Sequence, residues 1–400
     1  MLNFVIPLKG LNTCLKKYLM FEILILGGLM AFCITFYAVP TIIKIANQKK
    51  LFDFPEHRKI HKKPIPSLGG VGIFAGLIIT ILYFFPILNS QVELYYFILA
   101  FLTIFFFGVI DDLIGLSAQK KLFGQVIVTL LLTVKGNLLI TDMHGFLYIR
   151  EIGGTSSKLL TIFSMIVIIN AFNLIDGIDG LAATISIITA TSFSVFFILN
   201  NEMFYSLLGI TFVASTFAFL IFNFSPAKIF MGDTGSLLCG VVNAILAIHF
   251  ISAATEFKNF VIPSSPAIAF GILIMPLLDT LRVFFIRIVH GRSPFYPDRN
   301  HLHHILLDRG LGHRTVTLLI SLMAIIFIGF TVLLLPLGTT AVIIFQIFLF
   351  FSGVFFLQVT DRKEKNKLKA IKNDVEGFGD KVKTVISIIK GDDRNQENAN

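Results

Sequence analysis

The sequence of 400 residues is 55% hydrophobic and only 14% charged, and its mean hydropathy is +0.84. A soluble globular domain carries roughly 25% charged residues, so this composition excludes an ordinary soluble enzyme, a coiled coil and a disordered chain. The net charge of +9 raises the question of nucleic acid binding, which depends on where the basic residues lie.

Apolar runs of about 20 residues, the length that crosses a bilayer as a helix, recur along the chain. They predict an all-α polytopic membrane protein with about 11 transmembrane helices. The approximate spans are 21–43, 68–88, 94–110, 122–140, 158–172, 180–199, 204–224, 235–255, 266–289, 315–335 and 338–358.

Basic residues in the loops between these spans set the orientation of the chain. Short loops rich in Lys and Arg stay on the cytoplasmic side of a membrane. The odd-numbered loops are basic, whereas the even-numbered loops are poor in charge. We therefore expect the odd loops and the C-terminus to be cytoplasmic and the N-terminus to lie outside. This bias explains most of the positive charge with no role for nucleic acid.

The two ends of the sequence differ from its middle. Three lysines precede the first span, so residues 1–20 are interpreted as an N-terminal extension that either precedes a true start at Met20 or lies on the membrane surface. Residues 21–358 are predicted to form the transmembrane domain. Residues 359–400 have few large apolar side chains and are predicted to form a charged cytoplasmic tail.

Nearly all unusual polar groups fall in the odd loops, so topology places motifs that are distant in sequence on one membrane face. Charged side chains beside a membrane span are costly and commonly mark function. The five motifs lie at 53–70, 111–112, 170–180, 230–236 and 297–304. Their convergence predicts one site on the cytoplasmic side.

Five aspartates at the ends of apolar helices form the acidic part of this predicted site: Asp111, Asp112, Asp176, Asp179 and Asp233. Carboxylates that are brought together repel one another, and a hard divalent cation with oxygen ligands relieves that repulsion. The sequence Gly-Asp-Thr-Gly-Ser at 232–236 is predicted to begin a helix. The free N–H groups of such a helix favour a nearby phosphate.

The basic part of the predicted site can donate hydrogen bonds to phosphate oxygens. Its members are Lys121, Arg299, His301, His303 and His304. Carboxylates, a metal and bases on one face together indicate phosphoryl transfer, which depends on positioning and on neutralising charge.

Each motif has a plainer interpretation when it is taken alone. The Asp-Asp pair resembles ordinary helix-terminal charge, and Gly-Asp-Thr-Gly-Ser resembles a capped helix start. The His-Leu-His-His run is compatible with a polar loop or a zinc site, although its oxygen-rich partners disfavour zinc. Asp279 and Arg282, three residues apart on one helix face, are interpreted as a structural ion pair. The five motifs together favour a functional site.

In this order, the motifs resemble those of the polyprenyl-phosphate N-acetylhexosamine-1-phosphate transferases of glycosyltransferase family 4. The resemblance extends over roughly residues 20–335 and leaves out the charged tail. The first-loop pattern Arg-Lys-x-His-x-x-Pro-x-Pro-x-x-Gly-Gly and the late pattern Pro-Asp-x-x-His-Leu-His-His are similar to the bacterial branch that starts O-antigen, common antigen or wall teichoic acid synthesis. Leu302 interrupts the three adjacent histidines of the peptidoglycan branch, so a phospho-MurNAc-pentapeptide substrate is the less favoured alternative.

The resemblance implies a reaction and its participants. A UDP-N-acetylhexosamine, UDP-GlcNAc by default, would donate its sugar-1-phosphate to undecaprenyl phosphate, and UMP would leave. The implied cofactor is Mg²⁺, with Mn²⁺ as the alternative. The implied location is the bacterial cytoplasmic membrane, with catalytic cytoplasmic loops. The resemblance leaves open whether the protein forms a homodimer.

The resemblance also implies roles for individual residues. Asn173 and Asp233 would hold the metal, and Asp111 and Asp112 would form the catalytic pair that faces the lipid phosphate. Lys121 would neutralise phosphate charge. The residues expected to contact the nucleotide, the pyrophosphate or the sugar are Asp176, Asp179, Arg299, His301, His303 and His304.

Two alternatives to this interpretation concern mechanism and class. The lipid phosphate either attacks the sugar-linked phosphorus directly, or an aspartate attacks first and forms a phospho-enzyme. The direct route is favoured because a phosphate monoester, with a second pKa of about 6, is already largely dianionic at neutral pH. Many-span proteins with inward-facing Asp and Asn are also often secondary transporters. The placement of these motifs at one face, away from the bilayer midplane, disfavours that class.

Overall fold

The long apolar runs of the sequence form long helices in a computed structural model, which describes residues 13–51, 65–88, 92–254, 264–294 and 298–360, together with 259 and 262. Within these residues no extended strand forms, and β structure is limited to isolated bridges such as that between Asp142 and Glu151. The expected all-α class is therefore confirmed for the described part of the chain. The helices, α1 to α13 in chain order, are Thr13–Lys49, Gly69–Phe84, Val92–Ile114, Ala118–Leu130, Gly154–Ile175, Leu181–Leu199, Met203–Asn223, Gly232–Ala253, Ser265–Ile272, Ile274–Val289, Leu302–Leu307, His313–Leu334 and Thr339–Thr360.

Eight of the described helices are long and apolar enough to cross a membrane, namely α1, α3, α5, α6, α7, α8, α12 and α13. Helices α9 and α10 are bent by 75° at their junction and would count as a ninth span. The two other predicted spans appear as shorter helices, because α2 has 16 residues and α4 has 13 before a π-helical turn at Leu131–Lys135. A helix of 13 residues rises only about 20 Å. The structure therefore establishes eight or nine candidate spans, and the expected count of about eleven stays a prediction.

Helix α8 is the most enclosed of the eight candidate spans. In its apolar stretch 78% of the residues are buried, against 28% to 56% in the other candidate spans. It packs against α2, α3, α5 and α6. Its first turn, which contains Asp233, is thereby held where the last turns of α3 and α5 end.

The chain divides into two units, Met1–Gln346 and Ile347–Asn400. The first unit contains all the predicted site residues. In the second, the described residues belong to α13, in which the rings of Phe350 and Phe351 meet edge to face. The predicted tail from 361 onward, residues 1–12 and most of the first loop (52–64) lie outside the described residues.

Candidate active site

Asp111 lies in the last turn of α3, where the apolar helix ends. Its side chain is buried, and its Oδ1 accepts a hydrogen bond from the backbone N–H of Leu116 at 2.6 Å. Its Oδ2 forms an ion pair with Lys121 in the first turn of α4. Both carboxylate oxygens of Asp111 are therefore engaged by the turn that connects α3 to α4.

Lys121 joins this turn to the start of α8. Its Nζ pairs with Asp111 and lies 3.2 Å from Oδ2 of Asp233. Burial alone would lower the pKa of Lys121, but the charges of Asp233 and Asp111 raise it above its ordinary value. Lys121 is therefore a fixed cation between two carboxylates that the sequence separates widely, as the predicted convergence requires.

Asn173 joins α5 to the same place. Its side-chain N–H donates to Oδ1 of Asp233 at 2.6 Å and to the hydroxyl of Ser236 at 2.8 Å. Asp233 is thus held by Lys121 on one oxygen and by Asn173 on the other. Four of the predicted residues, Asp111, Lys121, Asn173 and Asp233, form one directly connected cluster.

The Asp112 side chain bonds to the first turn of α8 and has no described contact with Lys121 or Asn173. Its Oδ1 accepts from the backbone N–H of Asp233 at 2.7 Å, and its Oδ2 accepts from the N–H and the hydroxyl of Thr234 at 3.0 and 2.5 Å. The sequence correctly predicts a helix that begins at Gly232. The expectation that its first amides are free for a phosphate is wrong for these two, because Asp112 already occupies them.

Asp176 follows directly after α5 and is the least compensated carboxylate of the group. It is half-buried and makes no hydrogen bond or ion pair with any residue that the structure describes. Burial, followed by the charges of Asp233, Asp112 and Asp179, raises its pKa to about 8. A carboxylate in this state gains from a cation or a hydrogen-bonding ligand nearby.

Asp179 is buried and joins its own loop to the loop after α7 and to the first two turns of α12. Its Oδ2 accepts from the backbone N–H of Ala227 at 3.1 Å, and its Oδ1 lies 3.3 Å from Nδ1 of His313. The hydroxyl of Thr317 donates to its backbone carbonyl at 3.0 Å. The structure therefore surrounds Asp179 with protein partners, and its predicted contact with substrate stays a prediction.

The histidine motif lies at the start of α11 and is partly buried. His303 is 1% exposed, and its ring packs against Gly177, next to Asp176. Burial and the neighbouring His304 lower the pKa of His303 to about 3. His303 is therefore a neutral imidazole at physiological pH, and it lies at the edge of the aspartate-rich loop.

His301 is oriented by a residue from the preceding membrane helix. Its Nδ1 lies 2.9 Å from Oδ2 of Asp279, whose Oδ1 accepts from the backbone N–H of Leu302 at 2.9 Å. Arg282 completes the group with an ion pair to Asp279 at 2.9 Å. The expected Asp279–Arg282 pair is thus present, and it also anchors the first histidine of the motif.

The remaining predicted residues lie farther out. Arg299 is exposed and pairs with Asp308 at 3.3 Å. His304 is half-buried, and burial together with the charge of Arg299 lowers its pKa. No described contact joins either residue to the cluster of Asp111, Lys121, Asn173 and Asp233, so their predicted roles toward substrate are not tested.

Several residues that sequence reasoning missed hold these groups in place. Ser236 lies beside Asn173, His313 beside Asp179, and Gln125 exchanges side-chain hydrogen bonds with Asn170 at 2.7 and 3.3 Å. Ser236 and Asn170 stood inside noted motifs. Gln125 lies one helical turn after Lys121, and its one distinguishing feature in the sequence is that it is a polar residue within an apolar run.

Only the end of the first-loop motif is described, and it pairs with the loop before α8. The backbone N–H groups of Gly69 and Gly70 donate to the carbonyls of Phe230 and Met231 at 3.0 and 2.8 Å, and the N–H of Phe230 donates to Pro66 at 2.8 Å. This backbone pairing supports the turn at Gly232 from behind. The Arg-Lys-x-His part of that motif lies outside the described residues.

The donor set at the cluster fits a hard cation. Asp233 and Asn173 supply oxygen ligands of the type that Mg²⁺ prefers, and Asp176 adds a nearby uncompensated carboxylate. Within the described residues no group of three or more His, Cys, Asp or Glu side chains is arranged to hold a metal ion. Mg²⁺ usually keeps waters and takes one or two carboxylates together with substrate phosphates.

Comparison with known proteins places the chain in a family. The family model described as glycosyl transferase family 4 matches residues 94–251, which include Asp111, Lys121, Asn173 and Asp233. A probable undecaprenyl-phosphate N-acetylglucosaminyl 1-phosphate transferase of Bacillus subtilis (strain 168) is 32% identical over 320 residues, which are 80% of this chain and 86% of the relative. The chain belongs to glycosyl transferase family 4. The family expected from the five motifs is confirmed.

Other relatives of this family 4 chain carry related names. A decaprenyl-phosphate N-acetylglucosaminephosphotransferase of Mycobacterium leprae (strain TN) is 34% identical over 75% of the chain and 80% of the relative. An undecaprenyl-phosphate alpha-N-acetylglucosaminyl 1-phosphate transferase of Yersinia pestis is 31% identical over 70% of the chain and 76% of the relative. The family 4 chain is thus a multi-pass membrane protein with bacterial relatives.

Proposed function

We propose that this protein transfers a sugar-1-phosphate, GlcNAc-1-phosphate in the first place, from a UDP-N-acetylhexosamine to undecaprenyl phosphate. UMP is released, and the lipid product starts a cell-envelope polysaccharide of the O-antigen, common antigen or teichoic acid type. The names of the relatives supply the substrates of this proposal. The chemistry of the cluster supports it independently.

One observation supports the proposal above all. Lys121, at the start of α4, is held between Asp111 at the end of α3 and Asp233 at the start of α8, and Asn173 adds the end of α5 through its bond to Asp233. Phosphoryl transfer needs fixed positive charge and oriented polar groups more than it needs a covalent partner from the protein. A lysine held by two carboxylates is such a charge, and it is already in position before substrate binds.

Asn173 and Asp233 would hold the Mg²⁺, with Mn²⁺ as the alternative. When bound, the ion would neutralise the negative charge of the transferring phosphate. An asparagine at this position contributes an oxygen without adding charge, which suits a site that must hold several phosphates. Its amide now presents N–H to Asp233, and rotation about its last side-chain bond exchanges that N–H for the oxygen.

Direct attack by the lipid phosphate is the proposed route. An oxygen of undecaprenyl phosphate bonds to the sugar-linked phosphorus, the bond from that phosphorus to the bridging oxygen breaks, and UMP leaves with the bridging oxygen. Asp111 is a poor nucleophile for the alternative covalent route, because Leu116 and Lys121 engage its two oxygens. Asp111 is instead suited to orient the lipid phosphate or accept its last proton.

The proposed location is the bacterial cytoplasmic membrane, with the cluster on the cytoplasmic side. The basic loops support this orientation, and a nucleotide sugar made in the cytoplasm could then reach the cluster. The proposal includes about eleven crossings, two of them by the shorter segments that contain α2 and α4. The lipid acceptor would approach from the bilayer between helices.

The direct test is an assay of purified protein with undecaprenyl phosphate and a panel of UDP-N-acetylhexosamines, with and without Mg²⁺, followed by weighing the lipid products. We expect a mass increase of one sugar phosphate with UDP-GlcNAc, together with equimolar UMP, only when the metal is present. Transport of UDP-sugar into proteoliposomes without UMP release would instead indicate a transporter and contradict the proposal.

Asp233→Asn is the informative variant, because it keeps the shape of the side chain and removes its charge. We expect it to abolish turnover and the Mg²⁺-dependent binding of UDP-GlcNAc. Glu151→Gln is the matched control, since Glu151 is an exposed carboxylate outside the cluster, just before α5. Near-normal activity of folded Asp233→Asn would overturn the metal assignment.

A further inference from the structure

The contact between α3 and α8 is too close to admit side chains at two glycines. A Cβ on Gly108, one turn before Asp112, would collide with the backbone of Thr234. Gly232 has a φ of +71°, and a Cβ there would lie 2.7 Å from both carboxylate oxygens of Asp112. These two glycines let the end of α3 reach the first turn of α8.

The carboxylate of Asp112 lies directly against Gly232. It accepts three hydrogen bonds, two from the backbone amides of Asp233 and Thr234 and one from the Thr234 hydroxyl. An ionised carboxylate offers about four acceptor positions. Most of the acceptor capacity of Asp112 is therefore used by protein groups of α8.

These bonds have the character of a helix cap supplied by another helix. The first amides of an α-helix have no partner within the helix, and a carboxylate there satisfies them and opposes the positive end of the helix dipole. The residue just before the helix, Met231, makes no side-chain cap bond. Asp112 therefore supplies from α3 what the local sequence lacks.

We propose that Asp112 is a positioning residue, which fixes the first turn of α8 and through it the carboxylate of Asp233, while Asp111 alone of the adjacent pair faces the reacting groups. The catalytic consequence rests on the proposed function, but the contact itself does not. Asp111 is bonded to Lys121 and Leu116, so the two neighbouring aspartates have different partners and, we infer, different roles.

Amide exchange measured by mass spectrometry on the full-length protein in detergent, without substrate or metal, tests the contact directly. In Asp112→Asn, an amide N–H replaces one of the two acceptor oxygens and opposes the N–H of either Asp233 or Thr234, which donate to different oxygens of Asp112. We expect faster exchange in peptides that cover 231–238. Glu151→Gln, which changes an exposed carboxylate outside the cluster, is the control, and its exchange in the same peptides should equal that of the unmodified protein.

Turnover measured against Mg²⁺ concentration tests the consequence. Thr234→Val removes one hydroxyl bond and keeps the fold and both aspartates. We expect it to lower kcat/KM on the order of tenfold, the scale of a hydrogen bond to a charged group, and to raise the Mg²⁺ concentration at half-maximal rate. Thr103→Val is the control on α3, because among the described residues that hydroxyl bonds to the Leu99 carbonyl of its own helix, at 2.8 Å.

The exchange experiment and the turnover experiment can contradict the proposal independently of each other. Unchanged exchange at 231–238 in Asp112→Asn overturns the positioning role, whatever its activity. Faster exchange together with an unchanged Mg²⁺ requirement in Thr234→Val overturns the link to Asp233. If the unmodified protein shows no transfer with any UDP-sugar, the proposed function fails while the exchange result still decides the contact.

Discussion

Lys121 Nζ lies 3.2 Å from Asp233 Oδ2 and at the same time forms an ion pair with Asp111. A single ammonium thus compensates two carboxylates that come from different membrane helices. Removing one partner of such a partly buried group leaves the others uncompensated, which costs more than the loss of an exposed ion pair. The cluster therefore depends on Lys121 as much as on its aspartates.

Lys121→Gln is expected to lower kcat by about a hundredfold, the scale on which one oriented electrostatic group contributes to catalysis. Lys121→Arg should retain part of the activity, because it keeps the charge. Initial rates of UMP release at saturating UDP-GlcNAc measure both. Lys120→Gln is the control, since Lys120 is the exposed neighbour of Lys121, and equal losses in the two glutamine variants would contradict the assignment.

Asn170→Ala is expected to destabilise the protein, because it breaks a contact between α4 and α5. Asn170 and Gln125 exchange hydrogen bonds between α5 and α4, one turn from Lys121, and Gln125 is buried. Removing Asn170 leaves the Gln125 amide without a partner, at a cost of roughly 1–3 kcal/mol. Thermal unfolding in detergent measures this loss. The double variant Gln125→Leu, Asn170→Leu should recover much of the stability. Failure to recover it would contradict the assignment of the loss to the unpaired Gln125 amide.

The sequence predicted which residues form the site better than it predicted the contacts between them. Helix ends on one membrane face were enough to predict that Asp111, Lys121, Asn173 and Asp233 converge, and they do. The partners of Asp112 could not be predicted, because they depend on how closely α3 approaches α8. That approach is decided by Gly108 and Gly232, whose effect appears only once the helices are packed.

The count of spans was harder to predict for a related reason. Hydropathy marks segments that prefer lipid, but it does not distinguish a crossing helix from a short one that is enclosed by its neighbours. Helix α4 has 13 residues and then changes to a π-helical turn at Leu131–Lys135, within a predicted span of nineteen residues.

His313 was missed because its significance lies only in its approach to Asp179.

Asp176→Asn is expected to stabilise the metal-free protein increasingly as pH rises. The pKa of Asp176 is raised from 3.8 to about 8 by burial and by neighbouring carboxylates. The folded state therefore binds this proton more tightly than the unfolded chain does, and stability is lost as pH increases through that window. Unfolding midpoints in EDTA at pH 5, 7 and 9 measure the effect. A difference between variant and unmodified protein that does not change with pH would contradict it.

Gly177→Ala is expected to displace His303, because a Cβ at that position would collide with its imidazole. Overpacking of this kind costs roughly 1–3 kcal/mol, so the unfolding midpoint should fall, and the KM for UDP-GlcNAc should rise if His303 binds substrate. His303→Ala in the same chain should restore the midpoint but not the KM. Gly153→Ala is the control, since a Cβ there meets nothing within 4 Å.

Tyr148→Trp is expected to report from the membrane face opposite to the cluster. Helix α5 has 22 residues, from Gly154 beside this loop to Ile175 beside the cluster, and a helix of that length rises about 33 Å, close to the thickness of a hydrocarbon core. Tyr148 is 99% exposed and the chain contains no tryptophan, so the variant has a single tryptophan, whose emission can be excited apart from that of the remaining tyrosines. In sealed proteoliposomes of mixed orientation, the fraction of emission that external iodide quenches in Tyr148→Trp should complement the fraction in Lys120→Trp. If the quenched fractions of the two variants are equal and rise and fall together from one preparation to the next, both residues lie on the same face, which would contradict the topology.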